Sequence, residues 1–147
     1  MGQIKQIKVS TRMDAKSRVE AKVREHSLVI DQPAAGGGEN GGPTPLETLL
    51  FALAGCISHI SKIVAVQRKI ILRGVNVDVE GELDLNYLMG KTTEGRAGFS
   101  SFRAYVELDA DLSVAEKQDF LKEVDRRCPV SDNLLHGGQV VVELRQP

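Results

Sequence analysis

Thr44-Pro-Leu-Glu-Thr-Leu-Leu-Phe-Ala-Leu-Ala-Gly-Cys56 is the stretch whose pattern decides the fold of this 147-residue chain. Thr44 is a good N-cap, Pro45 suits the first helical position, and Glu47 stands three residues after Thr44, so the segment opens on a Thr-x-x-Glu capping box. Leu49, Leu53, Cys56, Ile57, Ile60, Ile63 and Val64 then keep a three-or-four spacing that runs to about Arg68. With Leu50, Phe51, Ala52 and Ala54 also apolar, the first half is greasy nearly all round, which predicts a long helix buried on most sides.

Upstream of that helix the pattern is of strands. Ile4, Ile7 and Val9, then Val19, Ala21 and Val23, alternate with charged neighbours, with Met13 to Lys16 as the turn between the two runs. A third short run, Ser27 to Asp31, ends at Pro33 and opens into Ala34 to Gly42. Five glycines in the seven positions from Gly36 to Gly42 predict a mobile loop without regular structure.

Downstream, Leu72 to Leu85 and Phe102 to Leu112 alternate as strands, and Asn86 to Gly98 reads as a long flexible connection. Ser113 and Glu116 form a second capping box, opening a helix that turns Val114, Leu121 and Val124 inward and ends near Arg127 and Cys128. Ser131 to Gly137 reads as one helical turn stopped by glycine, and Val140 to Leu144 as a last strand. Strands come in hairpins rather than alternating with helices, so the fold class is α+β with antiparallel sheet, in a single domain over residues 1–147.

Composition narrows the function. The formal charge is −1, from 19 basic and 20 acidic side chains, and neither nucleic acid nor an anionic membrane is the expected partner, since both call for a clustered basic excess. Six aromatic residues, none of them Trp, give little base-stacking surface. The alternation from Met1 to Arg24 is unlike a secretory leader, and no apolar run of about 18 residues is seen, so the expected setting is the cytoplasm.

The residues able to carry chemistry are the two thiols, Cys56 and Cys128. Each also has a plain structural account, as a small apolar core residue. They are too far apart in sequence for a Cys-x-x-Cys motif, so any pairing must be made by the fold. Cys56 is some three turns inside its helix, beyond the reach of the helix dipole, so its activation requires a cation from elsewhere. His59 follows Cys56 by three positions, a spacing that allows contact on one helix face. His26, His59 and His136 have no metal-ligand spacing, and the glycine loop lacks the Gly-Lys-Ser/Thr ending of a phosphate-binding loop. Neither metal nor cofactor is expected.

Asp31-Gln-Pro33, the glycine loop, Gly42-Pro-Thr-Pro-Leu-Glu47, Leu53-Ala-Gly-Cys56, Val79-Glu-Gly-Glu-Leu-Asp84, Gly98-Phe99 and Cys128-Pro-Val-Ser-Asp-Asn-Leu134 together resemble the OsmC/Ohr family of osmotically inducible and organic hydroperoxide resistance proteins. The resemblance spans nearly the whole chain and takes in both cysteines in order. It implies antiparallel sheets wrapped around a long central helix in an intertwined homodimer, and a thiol peroxidase as its activity. By the same resemblance Cys56 would attack an organic hydroperoxide, with hydrogen peroxide as a second expected substrate, to give a sulfenic acid. Cys128 would resolve that acid as a Cys56–Cys128 disulfide, which a lipoyl-type dithiol would reduce.

The chain departs from the family at one position. Where the peroxidases carry a glutamate directly after the helix-starting proline, to orient an arginine and the reactive cysteine, this sequence has Leu46. Glu47 is nine residues before Cys56, and at about 100° per residue it falls on the opposite side of a continuous helix, which favours its role as a cap. The arginine is expected from the N-terminal strands, with Arg24 first and Arg18 and Arg12 open. The contrasting expectation is a non-peroxidase dimer that binds a small apolar ligand between its subunits.

Overall fold

The computed structural model describes residues 2–145, which divide into two compact units at Leu49/Leu50.

The N-terminal unit is a three-stranded antiparallel meander, β1 (Ser10–Met13), β2 (Val19–Val23) and β3 (His26–Ile30), followed by a loop and the first turn of a helix. Register runs Met13↔Val19 and Ser10↔Lys22 in the first pair, and Val19↔Ile30 and Val23↔His26 in the second. The first strand is not where the alternation put it. Ile4, Ile7 and Val9 precede β1 in irregular backbone, with Ile4 97% exposed. A strand needs a neighbour for its N–H and C=O groups and an apolar surface for one face. Neither reaches these residues among those described.

The glycine loop is fastened, and the expectation of a mobile one is corrected. The Asp31 carboxylate, on a residue only 2% exposed, accepts the backbone N–H of Gln32 (2.8 Å), Glu39 (3.1 Å) and Gly41 (2.9 Å). Asp31 N–H donates to the Pro43 carbonyl and Asn40 N–H to that of Gln32, and a short 3-10 turn forms at Ala34–Gly36. Close winding dictates the glycines. A Cβ on Gly38 would stand 2.0 Å from the Gln32 carbonyl oxygen, and one on Gly42 2.5 Å from that of Val29.

Helix α1 (Pro45–Arg68) has the predicted span. Its capping box forms in both directions: Thr44 N–H donates to Glu47 Oε2 (2.7 Å), and Glu47 N–H donates to Thr44 Oγ1 (3.2 Å). These bonds hold the Glu47 carboxyl below its ordinary range. At the other end Lys69 N–H donates to Val66 O and Ile70 N–H to Ala65 O, a Schellman close with Lys69 in the left-handed region at φ 59°. Contrary to the sequence expectation, α1 holds an 18-residue window of mean hydropathy 1.9, long and apolar enough to cross a bilayer by length and composition alone. Ser58, Ser61 and Gly55 interrupt the run but are outweighed by the aliphatic residues around them. Leu53, Ile57, Ser61, Val64 and Ala65 line its buried face.

The second unit sets α1 beside a long hairpin, β4 (Leu72–Glu82) and β5 (Ser101–Ala110), and three further helices, α2 (Leu85–Leu88), α3 (Val114–Arg127) and α4 (Pro129–His136). The strands pair antiparallel from Leu72↔Ala110 to Glu82↔Ser101, and Arg73 clamps their open end by binding Asp109 and Asp111. The core consists of Leu53, Ile57, Val64 and Ala65 of α1, Leu108 of β5, Phe120 and Val124 of α3, and Cys128. Gly81 lets Phe99 lie against β4, where a Cβ would meet the ring at 2.7 Å.

Four expectations change here. The connection after β4 contains α2, capped by the Asp84 side chain on Asn86 N–H. Val114 is 74% exposed, since it directly follows the Ser113 cap, and Phe120 takes the inward place. The single turn at Ser131 is a two-turn helix that begins at Pro129, which fits the first helical position because proline has no N–H to leave unpaired. Val140 to Leu144 forms no strand, and Val142 is 92% exposed.

Candidate active site

The two thiols meet. Cys56 Sγ and Cys128 Sγ are 3.1 Å apart across 72 positions of sequence, and both cysteines are free. Each is brought there by its own helix. On α3 the buried stripe Phe120–Val124 continues at a four-residue spacing to Cys128, so the last thiol of that row points into the core and is 0% exposed. On α1 the buried row is Leu53–Ile57, and Cys56 is one residue, about 100°, off it, which leaves this thiol half-buried.

Cys128 closes α3 and caps α4. Its backbone is extended (φ −79°, ψ 106°), its N–H donates to the Asp125 carbonyl, and its sulfur accepts the N–H of Ser131 at 3.5 Å. Burial pushes the Cys128 thiol above its ordinary range, and the hydrogen bond with Cys56 adds to this; the Ser131 amide opposes both. The Cys128 S–H is the donor to the Cys56 sulfur. This bond sets the Cys128 proton against the Cys56 sulfur, while burial favours Cys128 in its neutral thiol form.

The other sequence candidates fall as follows. His59 is exposed, and its Nδ1–H donates to the Gly55 carbonyl at 2.8 Å, one turn back along its own helix. That bond takes the place of the Cys56 contact its spacing allowed. Glu47 is occupied by the Thr44 cap. Among the described residues no three His, Cys, Asp or Glu side chains gather to hold a metal. The glycine loop spends the Glu39 and Gly41 N–H groups on Asp31, and those of Gly36, Gly37, Gly38 and Asn40 on backbone carbonyls, in place of a phosphate.

The three arginines lie in the N-terminal unit. Arg24 is the first residue of the two-residue β2–β3 turn closed by Val23↔His26, in the left-handed region at φ 56°. A non-glycine residue there costs on the order of 1 kcal/mol. Arg18 donates to Glu20 (3.1 Å), and its charge helps to keep Asp31 ionised. Arg12 shares a surface hollow with Asp14, Arg18 and Glu20.

Sequence reasoning missed Ser131 and Asp125. Ser131 Oγ donates to Asp125 Oδ1 at 2.8 Å, joining α4 to α3 on either side of Cys128. Beside them is a hollow of about 250 Å³ lined by Leu53, Ile57, Phe102, Ala104, Leu134 and Leu135 as well as this pair. The Pro after Cys128 was the available signal, because it marks a helix start at which the third residue offers its N–H to the cap.

Among curated proteins, none matches the chain. Solved structures do. An OsmC-like protein from Mycoplasma pneumoniae superposes with a TM-score of 0.79 at 22% identity, covering 91% of this chain and 90% of that one. An organic hydroperoxide resistance protein OsmC from Legionella pneumophila gives 0.69 at 20% identity, covering 92% and 93%. An organic hydroperoxide resistance protein from Elizabethkingia anophelis gives 0.61 at 17% identity, covering 92% of each. At these identities the likeness is one of fold: mixed helix and antiparallel sheet with one long helix. The sequence pattern of the family described as OsmC-like protein matches residues 37–145, from the glycine loop through both thiols, and the chain belongs to the OsmC family.

Proposed function

We propose that this protein is a thiol-dependent hydroperoxide reductase of the OsmC/Ohr type, acting on organic hydroperoxides, with hydrogen peroxide as a second substrate to test. The observation that carries the proposal is the 3.1 Å approach of two free thiols, one half-buried and one wholly buried. Membership of the OsmC family supports it, as do the hydroperoxide resistance proteins among its structural relatives.

In this reading the Cys56 thiolate attacks the distal oxygen of the peroxide. The O–O bond breaks, the alkoxide takes a proton and leaves as an alcohol, and Cys56 becomes a sulfenic acid. Cys128 sulfur then attacks Cys56 sulfur; the sulfenic hydroxyl leaves with the Cys128 proton as water, and a disulfide forms. A dithiol of the lipoyl type restores both thiols by two exchanges and is itself oxidised to a cyclic disulfide. Arg24 is the residue we assign to hold Cys56 as a thiolate, with Arg18 and Arg12 as the alternatives. The reading also takes residues 1–147 as one OsmC-like domain, working as a homodimer in the cytoplasm with no cofactor.

The test is consumption of cumene hydroperoxide with dihydrolipoamide as reductant. Turnover by the wild type and none by Cys56→Ser is the expected result. Wild-type consumption no faster than that of Cys56→Ser would overturn the proposal. A second reading, a dimer that binds a small apolar ligand without turnover, draws on two observations. Glu47 is committed to its cap, and the hollow beside Ser131 and Asp125 is lined mainly by apolar side chains. Saturable ligand binding by a protein whose two thiols survive peroxide would favour it.

A further inference from the structure

Disulfide closure would take the two sulfurs from 3.1 Å to about 2.05 Å, so its rate depends on how firmly Cys128 is aimed. Cys128 is a poor place for firmness. It is a single extended residue between two helices, and its own backbone bonds reach only one helix each, N–H to Asp125 O in α3 and C=O from Asp132 N–H in α4. One side-chain bond spans the hinge: Ser131 Oγ to Asp125 Oδ1, 2.8 Å, with its ends three residues after and three residues before the thiol. Ser131 also gives its backbone N–H to Cys128 Sγ. The residue that ties the helices together is therefore the one that addresses the sulfur.

We propose that Ser131, held by Asp125, is a positioning residue that sets the Cys128 sulfur for closure onto Cys56. The proposal rests on the dithiol reading above. Its chemical consequence is a partition. A Cys56 sulfenic acid that waits for Cys128 meets a second peroxide molecule, which oxidises it to the sulfinic acid and is itself reduced to an alcohol. Fast closure, with loss of water, prevents this.

The experiment compares the wild type with Ser131→Ala, Ser131→Thr and Asn133→Ala. The last removes the Asn133 Nδ2 bond to the Pro129 carbonyl, loosening the same turn without touching Asp125 or the sulfur. Each protein is equilibrated in dithiothreitol redox buffers and its Cys56–Cys128 disulfide is measured by mass spectrometry. Each is also pulsed with cumene hydroperoxide, and disulfide is counted against sulfinic acid. For Ser131→Ala the disulfide equilibrium constant is expected to fall about tenfold, equivalent to roughly 30 mV for two electrons. Its ratio of disulfide to sulfinic acid should fall likewise. Ser131→Thr, which keeps the hydroxyl, should restore most of both, and Asn133→Ala should stay within threefold of the wild type. A Ser131→Ala constant within threefold of the wild type, an equal shift in Asn133→Ala, or no rescue by threonine overturns the assignment. So does a wild type that forms no disulfide in the buffers. A wild type that forms it there but consumes no peroxide overturns the peroxidase reading alone, and the buffer constants still decide the role of Ser131.

Discussion

The two sulfurs meet at 3.1 Å, and their surroundings make them unequal. Cys128 is 0% exposed and donates its S–H, whereas Cys56 is half-buried and accepts. Burial and this bond push the Cys128 thiol up, so near neutral pH Cys128 holds its proton and is out of reach of solvent. Alkylation under native conditions is expected to label Cys56 first and by at least tenfold, since reactivity follows thiolate fraction and access. Timed iodoacetamide labelling with peptide mass spectrometry checks this; equal rates, or Cys128 first, would contradict the assignment of roles. In sequence Cys56 falls inside an apolar helix and Cys128 at a helix end before Pro129, but neither has a cysteine nearby to show that they meet. Their meeting spans 72 positions, and their inequality follows from a 100° offset from the buried row of α1, which only a packed helix defines.

Among the elements, what could be read from the sequence was local. Both capping boxes involve residues three apart, the span of α1 follows from its periodicity, and β4 and β5 from their alternation. The misses come from partners distant in sequence or residues in unusual places. The left-handed close of α1 falls on Lys69, where glycine would be the sequence signal. Lys69→Gly should therefore stabilise the protein by up to about 1 kcal/mol, the relief of left-handed strain less glycine's entropic cost, seen as a higher urea midpoint at unchanged slope. The glycine loop looked free because its organiser, Asp31, precedes it, and the carboxylate draws amides from up to ten residues on. Backbone N–H groups, that of Gly41 first, hold the Asp31 carboxyl below its ordinary range. A depressed carboxyl contributes stability at pH above its unfolded value, about 3.9, and loses it as pH falls through the lower folded value. Asp31→Asn should lower the melting temperature at neutral pH and flatten the loss of stability below about pH 4. A variant as stable as the wild type at pH 7 would show that the loop does not depend on this carboxylate.

At the scale of the molecule the exposed apolar residues are the main unsolved burden. The segments before β1 and after α4 are rich in Ile and Val but pair with nothing among the described residues. The opposite face of α1 leaves Phe51 76% exposed. Fully burying one such side chain contributes roughly 1.5–3 kcal/mol, so a surface that covers several is comparable to a typical net folding stability. A second copy of the chain is the cover we propose, since both terminal segments and α1 leave large apolar side chains exposed. Light scattering at micromolar concentration should then give twice the chain mass, and the melting temperature should rise with protein concentration, as it does when folding and association are linked. Phe51→Asp combined with Val142→Lys places two charges in that surface and should lower the melting temperature and its concentration dependence together. A wild type that stays at single-chain mass, with a melting temperature independent of concentration, would mean that α1 and the two terminal segments are covered in some other way.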